Sequence, residues 1–193
     1  MTEGSEGAER VVELIAATVG EGGRANFAPM GARFLPGGRV ALIAYHGSST
    51  HRNLAARGGG ALNLTRDALL FVKTALFDYA PPHTFESGAP VMDEADEARV
   101  FAVDRREELE GKTRFEGQVV ARRVMRVPES GFNRAAAAVM EALIAATRIG
   151  VMDADEIGQT LRRCAVIVSK TGGGREREAM RLVEEYVRNH SAR

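Results

Sequence analysis

The apolar positions of this chain follow two rhythms. As far as about residue 128 they come in short β-branched or alternating runs broken by glycine and proline, which is the pattern of strands. Beyond it they recur every three or four residues, which is the pattern of helices. Residues 11–19 predict a strand that ends in a turn at Gly20, Gly22 and Gly23. Residues 26–35 predict a second extended segment, which Pro29 confines to an edge or a bulge. Pro36-Gly37-Gly38 then turns the chain into residues 40–45, the clearest strand of all. A short helix is expected over 52–57, closed by Gly58-Gly59-Gly60, and another strand over 61–65. Asp67 has the position of an N-cap for a helix through Leu76. Residues 78–92, with Pro81, Pro82, Gly88 and Pro90, read as loop.

Charge organises the next stretch. Residues 93–110 carry eight acids against three arginines, and residues 112–126 carry five bases against Glu116. That contrast suits two adjacent, solvated antiparallel strands that pair charges across the ladder, and a polyanion site is the weaker reading. The helical texture follows: residues 132–148 are alanine-rich, with Val139, Leu143 and Ala146 on one face. Asp153 and Glu156 are spaced as a capping box for the next helix, striped by Ile157, Leu161, Cys164 and Val168. Gly172-Gly173-Gly174 ends it, and Ala179, Val183 and Tyr186 stripe the last helix. The expected division is therefore a mainly β region over 1–128, with an inserted loop and strand region at about 78–110, and an α-helical segment over 129–193.

Composition removes several classes. The 193 residues hold 26 basic and 26 acidic side chains, so no long-range field draws in nucleic acid or an anionic membrane. The single cysteine excludes a disulfide framework and a cysteine-rich metal site. No apolar run approaches the ~20 residues that cross a bilayer, and the acidic N-terminus is unlike a secretion signal. The expectation is a cytoplasmic protein.

Most motif-like segments have plainer explanations. Gly20-Glu21-Gly22-Gly23-Arg24-Ala25 matches a loose dinucleotide pattern, but Asn26-Phe27-Ala28-Pro29 after it is no helix start. Gly47-Ser48-Ser49-Thr50-His51 lacks the second glycine of a nucleophile elbow. His46 and His51, five apart, are not spaced as a helical metal pair, and no metal ligand set suggests itself. Cys164 falls on an apolar stripe and reads as a small buried hydrophobe. Ser48, Ser49 and Thr50 remain. Three hydroxyls between a strong strand and the first turn of a helix can cradle a phosphate, through free amides, the helix dipole and charge from Arg52 or Arg57. They can equally be an N-cap with nothing bound.

Three segments in close succession change that balance: Asn26-Phe27-Ala28-Pro29-Met30-Gly31, Gly47-Ser48-Ser49-Thr50-His51-Arg52-Asn53-Leu54 and Leu62-Asn63-Leu64-Thr65-Arg66-Asp67. Together they resemble the FMN-binding split-barrel superfamily of flavin reductase-like proteins, and within it the DUF447 family. Phe132-Asn133-Arg134-Ala135, Glu141-Ala142 and Lys170-Thr171-Gly172-Gly173 extend the resemblance over nearly the whole chain. It implies a mainly β fold with α, an antiparallel split β-barrel followed by a C-terminal helical segment, that binds FMN as a homodimer. By that resemblance Ser48, Ser49, Thr50 and Asn53 hold the phosphate. Asn26, Phe27, Ala28, Pro29, Met30 and Gly31 run along the isoalloxazine ring, with Asn63 and Thr65 near the ring or ribityl chain. Few aromatics are at hand to stack on a flavin; Phe27, Tyr45, Phe71 and Phe77 are the candidates, each more commonly core. No catalytic residue can be named. The implied activity is that of an FMN-dependent oxidoreductase with a small-molecule electron donor or acceptor. A flavin carrier or sensor, and an interaction module without cofactor, are the alternatives.

Overall fold

The computed structural model describes residues 10–127 and 131–190. In chain order its elements are β1 (Val11–Val19), β2 (Ala25–Leu35), β3 (Arg39–Tyr45), α1 (Ser49–Arg57), β4 (Gly59–Leu64), α2 (Ala68–Leu76), β5 (His83–Glu86), β6 (Ala89–Met92), β7 (Glu97–Leu109), β8 (Lys112–Val124), α3 (Arg134–Ala146), α4 (Ala154–Thr171) and α5 (Gly174–His190). They group into two compact units. One holds 10–65 and 80–127; the other holds 66–79 and 131–190, so it takes α2 from the middle of the chain.

In the first unit six strands close into an antiparallel barrel, in the order β1-β2-β3-β8-β7-β4. Alternation along each strand fills it. Leu14 and Ala16 of β1, Ala32 of β2, Val40, Leu42 and Ala44 of β3, Leu62 of β4, Phe101 of β7 and Phe115 of β8 form one buried core with Leu54 of α1. Burying each of the larger side chains contributes about 1.5–3 kcal/mol. Ile15 and Ala17 point the other way, and so do their cross-strand partners, Pro29 and Phe27 on β2 and Asn63 and Ala61 on β4.

The long β7–β8 hairpin pairs the acidic stretch with the basic one. Glu107 lies opposite Arg114 and Arg105 opposite Glu116. Arg122 makes two bonds to Glu97, at 2.9 and 2.7 Å, and Arg99 adds a third at 2.5 Å. Arg122 first, and Arg99 after it, hold the Glu97 carboxyl down at about 2. Arg39 grips Asp104 through both terminal nitrogens, at 2.8 and 2.7 Å.

Residues 78–92 are not loop throughout. They contain the hairpin β5–β6, in which Pro90 lies opposite Phe85. The prolines disguised it, but a two-stranded sheet has an outer edge on every strand, where a missing N–H costs no ladder bond. The glycine triplet also divides its work. Gly58 alone caps α1, at φ 68°. Gly60 lies inside β4, where a Cβ would come within 2.5 Å of the Ala17 carbonyl oxygen, so only glycine permits that approach of β1.

The second unit packs four helices. Asp67 caps α2, its carboxylate accepting from Leu69 N–H at 3.0 Å, and it pairs with Arg175 of α5. Asn133 caps α3 and Asp153 caps α4, each accepting from two backbone amides. Val139, Leu143 and Ala146 are buried as expected, while Phe132 precedes the helix and is 82% exposed. Cys164 is buried among the α4 stripe, and that burial pushes its thiol pKa up. No helix among the described residues is long and apolar enough to cross a membrane.

Candidate functional site

Helix α1 closes one end of the barrel, and its start carries the three hydroxyls. It begins at Ser49, three residues earlier than its weak helix formers suggest, because Ser48 is a working N-cap. Ser48 Oγ accepts from His51 N–H at 3.1 Å. Arg52 folds back over this first turn, donating to the Gly47 carbonyl and to Ser49 Oγ, the latter at 3.0 Å. Each serine hydroxyl thus accepts one bond and keeps its own proton to donate. The Ser49 and Thr50 amides, being the first of the helix, have no intrahelical acceptor. Amides, two hydroxyls and one guanidinium therefore converge on one exposed turn. Arg57, the other cation considered, lies at the far end of the helix.

The inward face of α1 is a buried polar cluster. Thr18 continues the interior row of Leu14 and Ala16, and its hydroxyl accepts from Asn53 Nδ2 at 3.0 Å and from Asn26 Nδ2 at 3.4 Å. Asn26 Nδ2 also donates to Thr50 Oγ1 at 3.2 Å. Thr18, Thr50 and Asn53 are 1%, 4% and 8% exposed, so these bonds are made away from water, where losing a partner is costly. Through this cluster Asn26, Thr50 and Asn53, widely spaced in the chain, become one feature.

Beside it the barrel is split. Strand β2 pairs with the whole length of β1, from Val11 opposite Arg33 to Val19 opposite Ala25. With β3 it pairs only from Ala32 to Leu35. Along residues 25–31 the second edge of β2 has no strand partner among the described residues. Its backbone groups, apart from the N–H that Pro29 lacks, offer donors and acceptors to a flat polar ring. Ala28, Pro29, Met30 and Gly31 lie along this stretch, all half-buried. The open edge and the α1 turn meet where Asn26 bonds Thr50.

Other expected residues stand elsewhere. Phe27 is on the outward face of β2, buried with its ring 5.1 Å from that of His83 on the β5–β6 hairpin. Asn63 is fully buried on the same face of the barrel. Its Oδ1 accepts from Met92 N–H at 2.9 Å and its Nδ2 donates to the Ile15 carbonyl at 3.3 Å, so its amide ties the hairpin to the barrel wall. Thr65 is buried just beyond the end of β4. Of the aromatic candidates, Tyr45 is 68% exposed near Lys112, Phe71 is buried in α2, and Phe77 meets Tyr186 edge-on. Thr18 and Thr113, both central to how α1 is seated, have no sequence signal beyond their place in strands. No group of three His, Cys, Asp or Glu among the described residues could hold a metal ion.

A six-stranded barrel, split along one strand and plugged by a helix whose start gathers anion-binding groups, defines the split-barrel class. The solved structures agree: a styrene monooxygenase flavin reductase from Pseudomonas putida S12 superposes with a TM-score of 0.54 at 14% identity, over 60% of this chain and 82% of that one. An FMN-binding protein from Thermus thermophilus gives 0.53 at 15%, over 65% and 78%. Within that class the chain belongs to the DUF447 family, described as a protein of unknown function, matching its N-terminal domain over residues 12–126 and its C-terminal domain over 133–185. An FMN-bound protein of this family from Methanosarcina mazei superposes with a TM-score of 0.82 at 27% identity, covering 92% of this chain and 95% of that one.

Proposed function

We propose that the chain binds FMN and acts as an FMN-dependent oxidoreductase on a small-molecule electron donor or acceptor. The observation that carries the reading is the junction of two complementary donor sets at the Asn26–Thr50 bond. On one side the α1 turn offers amides, the Ser48 and Ser49 hydroxyls and Arg52 to a phosphate. On the other, the open edge of β2 offers backbone groups to a polar heterocycle. The related M. mazei protein is FMN-bound, which supports the same ligand here.

Bound FMN supplies two-electron redox chemistry. The chain's own part is orientation and charge. Arg52 offsets phosphate charge, and the cap on α1 holds two amides toward it. The buried Thr18–Asn26–Asn53 bonds keep the α1 turn and the β2 edge in one register. The reading includes a homodimer, which Val120 and Val124, both exposed on β8, would help to build. It also includes a cytoplasmic setting.

The test is the visible spectrum of freshly purified protein, followed by FMN titration and a screen of reduced nicotinamide and deazaflavin donors. Stoichiometric FMN with accelerated donor oxidation supports the proposal. FMN without any turnover leaves a flavin carrier or sensor. A colourless chain that takes up no FMN refutes the reading and leaves an interaction module.

A further inference from the structure

Behind the α1 turn lies a second cluster, with one buried hydroxyl at its centre. Thr113 begins the interior row of β8 opposite Ala44 and is fully buried. Its Oγ1 donates to Glu108 Oε2 at 2.9 Å. The same oxygen lies 3.0 Å from His51 Nε2 and 3.1 Å from His46 Nε2. The two imidazoles meet edge to face at 4.9 Å, and His51 makes a similar contact with Phe115 of the core at 5.7 Å.

The proton positions follow from counting. A hydroxyl has one proton and two lone pairs. Once the Thr113 proton goes to Glu108, both remaining sites on the oxygen are acceptors, so each Nε2 must carry a hydrogen. The exposed carboxylate therefore sets the state of both rings, reaching His51 through the hydroxyl and His46 both through it and directly, at 3.2 Å from His46 Nε2. That hydroxyl bond is the main cause holding the Glu108 carboxyl below the usual carboxylate range, with His46 adding to it. His51 is fixed at both ends. Its backbone amide is bonded to the Ser48 cap, and its ring is bonded to Thr113 on the inner side. His46 enters the same turn from β3, one residue before Gly47, whose carbonyl accepts from Arg52.

We infer that Thr113 is a positioning residue for the phosphate-binding turn, acting through His51 and His46. The role rests on reading that turn as the FMN phosphate site. Thr113 faces away from the exposed hydroxyls and makes no direct claim on the ligand. It fixes the rotation of the first turn of α1, and with it the directions of the Ser49 and Thr50 amides. Without its oxygen the His51 N–H loses its acceptor beneath the turn and that ring must reorient, while His46 keeps the Glu108 carboxylate as a partner.

The experiment uses the full chain with labelled histidines and FMN as the probe. Long-range proton–nitrogen spectra of FMN-free protein are expected to show both His46 and His51 protonated at Nε2. Thr113→Val should disturb the His51 ring most, because His46 keeps Glu108, and weaken FMN binding about tenfold, while Thr113→Ser restores the spectra and the affinity. Glu108→Ala, made on an exposed side chain, guards against a Thr113→Val chain that does not fold. It frees the hydroxyl proton, so one ring is expected to lose its Nε2 hydrogen and FMN binding to weaken. Thr113→Val or Glu108→Ala protein that binds FMN like wild type, with altered ring spectra, overturns the positioning role. Wild-type spectra with either Nε2 unprotonated overturn the bond arrangement. Wild-type protein that takes up no FMN refutes the cofactor reading itself and this role with it, while the spectra still report the bonds.

Discussion

Asn63 provides a sharp test, because its sequence context and its structural place ask different things of it. The perturbation is Asn63→Ala. The side chain is fully buried, and its amide satisfies the Met92 N–H at 2.9 Å and the Ile15 carbonyl at 3.3 Å. Removing it leaves a buried donor without an acceptor, at about 1–3 kcal/mol, and a carbonyl with one bond fewer, at about 0.5–1.5 kcal/mol. The small cavity left behind adds to this. A loss of about 3 kcal/mol in total is a large part of a stability of ~5–15 kcal/mol. The assay is chemical unfolding of FMN-free protein, with hydrogen exchange read at the Met92 amide. The midpoint is expected to fall markedly, with Met92 protection lost before that of the β7–β8 ladder. A midpoint within about 1 kcal/mol of wild type, a protected Met92 amide and a large drop in FMN affinity would refute the tether and give Asn63 to the ligand.

Replacing Ser48 and Ser49 together by alanine removes the cap and both outward hydroxyls. It is expected to cost about 1 kcal/mol of stability and to weaken FMN retention at least tenfold, as read by flavin fluorescence. Glu97, held at about 2 by Arg122 and Arg99, has a folded pKa below the 4.5 of an ordinary glutamate. Its stabilising contribution is therefore complete above pH 4.5 and disappears as pH falls toward 2. Arg122 is 60% exposed, so solvent screening reduces that contribution to about 1–2 kcal/mol, and Glu97→Gln is expected to flatten the acid limb of a stability–pH curve by that amount. Gly60→Ala forces a Cβ to within 2.5 Å of the Ala17 carbonyl and is expected to cost more than about 2 kcal/mol by thermal unfolding. A Gly60→Ala midpoint equal to wild type would mean that β1 and β4 are not so closely apposed.

Local physics made much of this protein readable in advance. Whether a segment alternates or repeats every third or fourth residue depends on its own side chains, so the barrel strands and the four later helices were visible without their partners. Caps are equally local: Asp67 and Asp153, both legible as caps in the sequence, each serve amides within three residues. The charge contrast between 93–110 and 112–126 foretold the β7–β8 pairing, because a hairpin joins neighbours. Motif order alone pointed to a split barrel and to the turn at Ser48, Ser49 and Thr50.

Tertiary structure decided what each polar group does. Hairpin β5–β6 was hidden because proline cost nothing on the free edge of two strands, which is a property of the sheet. Asn26 and Asn53 look like ligand residues in the chain, but their amides converge on Thr18, which alternation brings to the barrel interior. Asn63 faces the hairpin instead, because its place on β4 points it to the outer side. Thr113 gains its three partners only when α1, β3, β7 and β8 meet at one end of the barrel. Sequence by itself determined the barrel strands, the helices and the hydroxyl-rich turn at Ser48, Ser49 and Thr50, since those depend on neighbours along the chain. Which edge stays open and which hydroxyl anchors the turn depend on contacts between residues dozens of positions apart, and only closure of the barrel creates them.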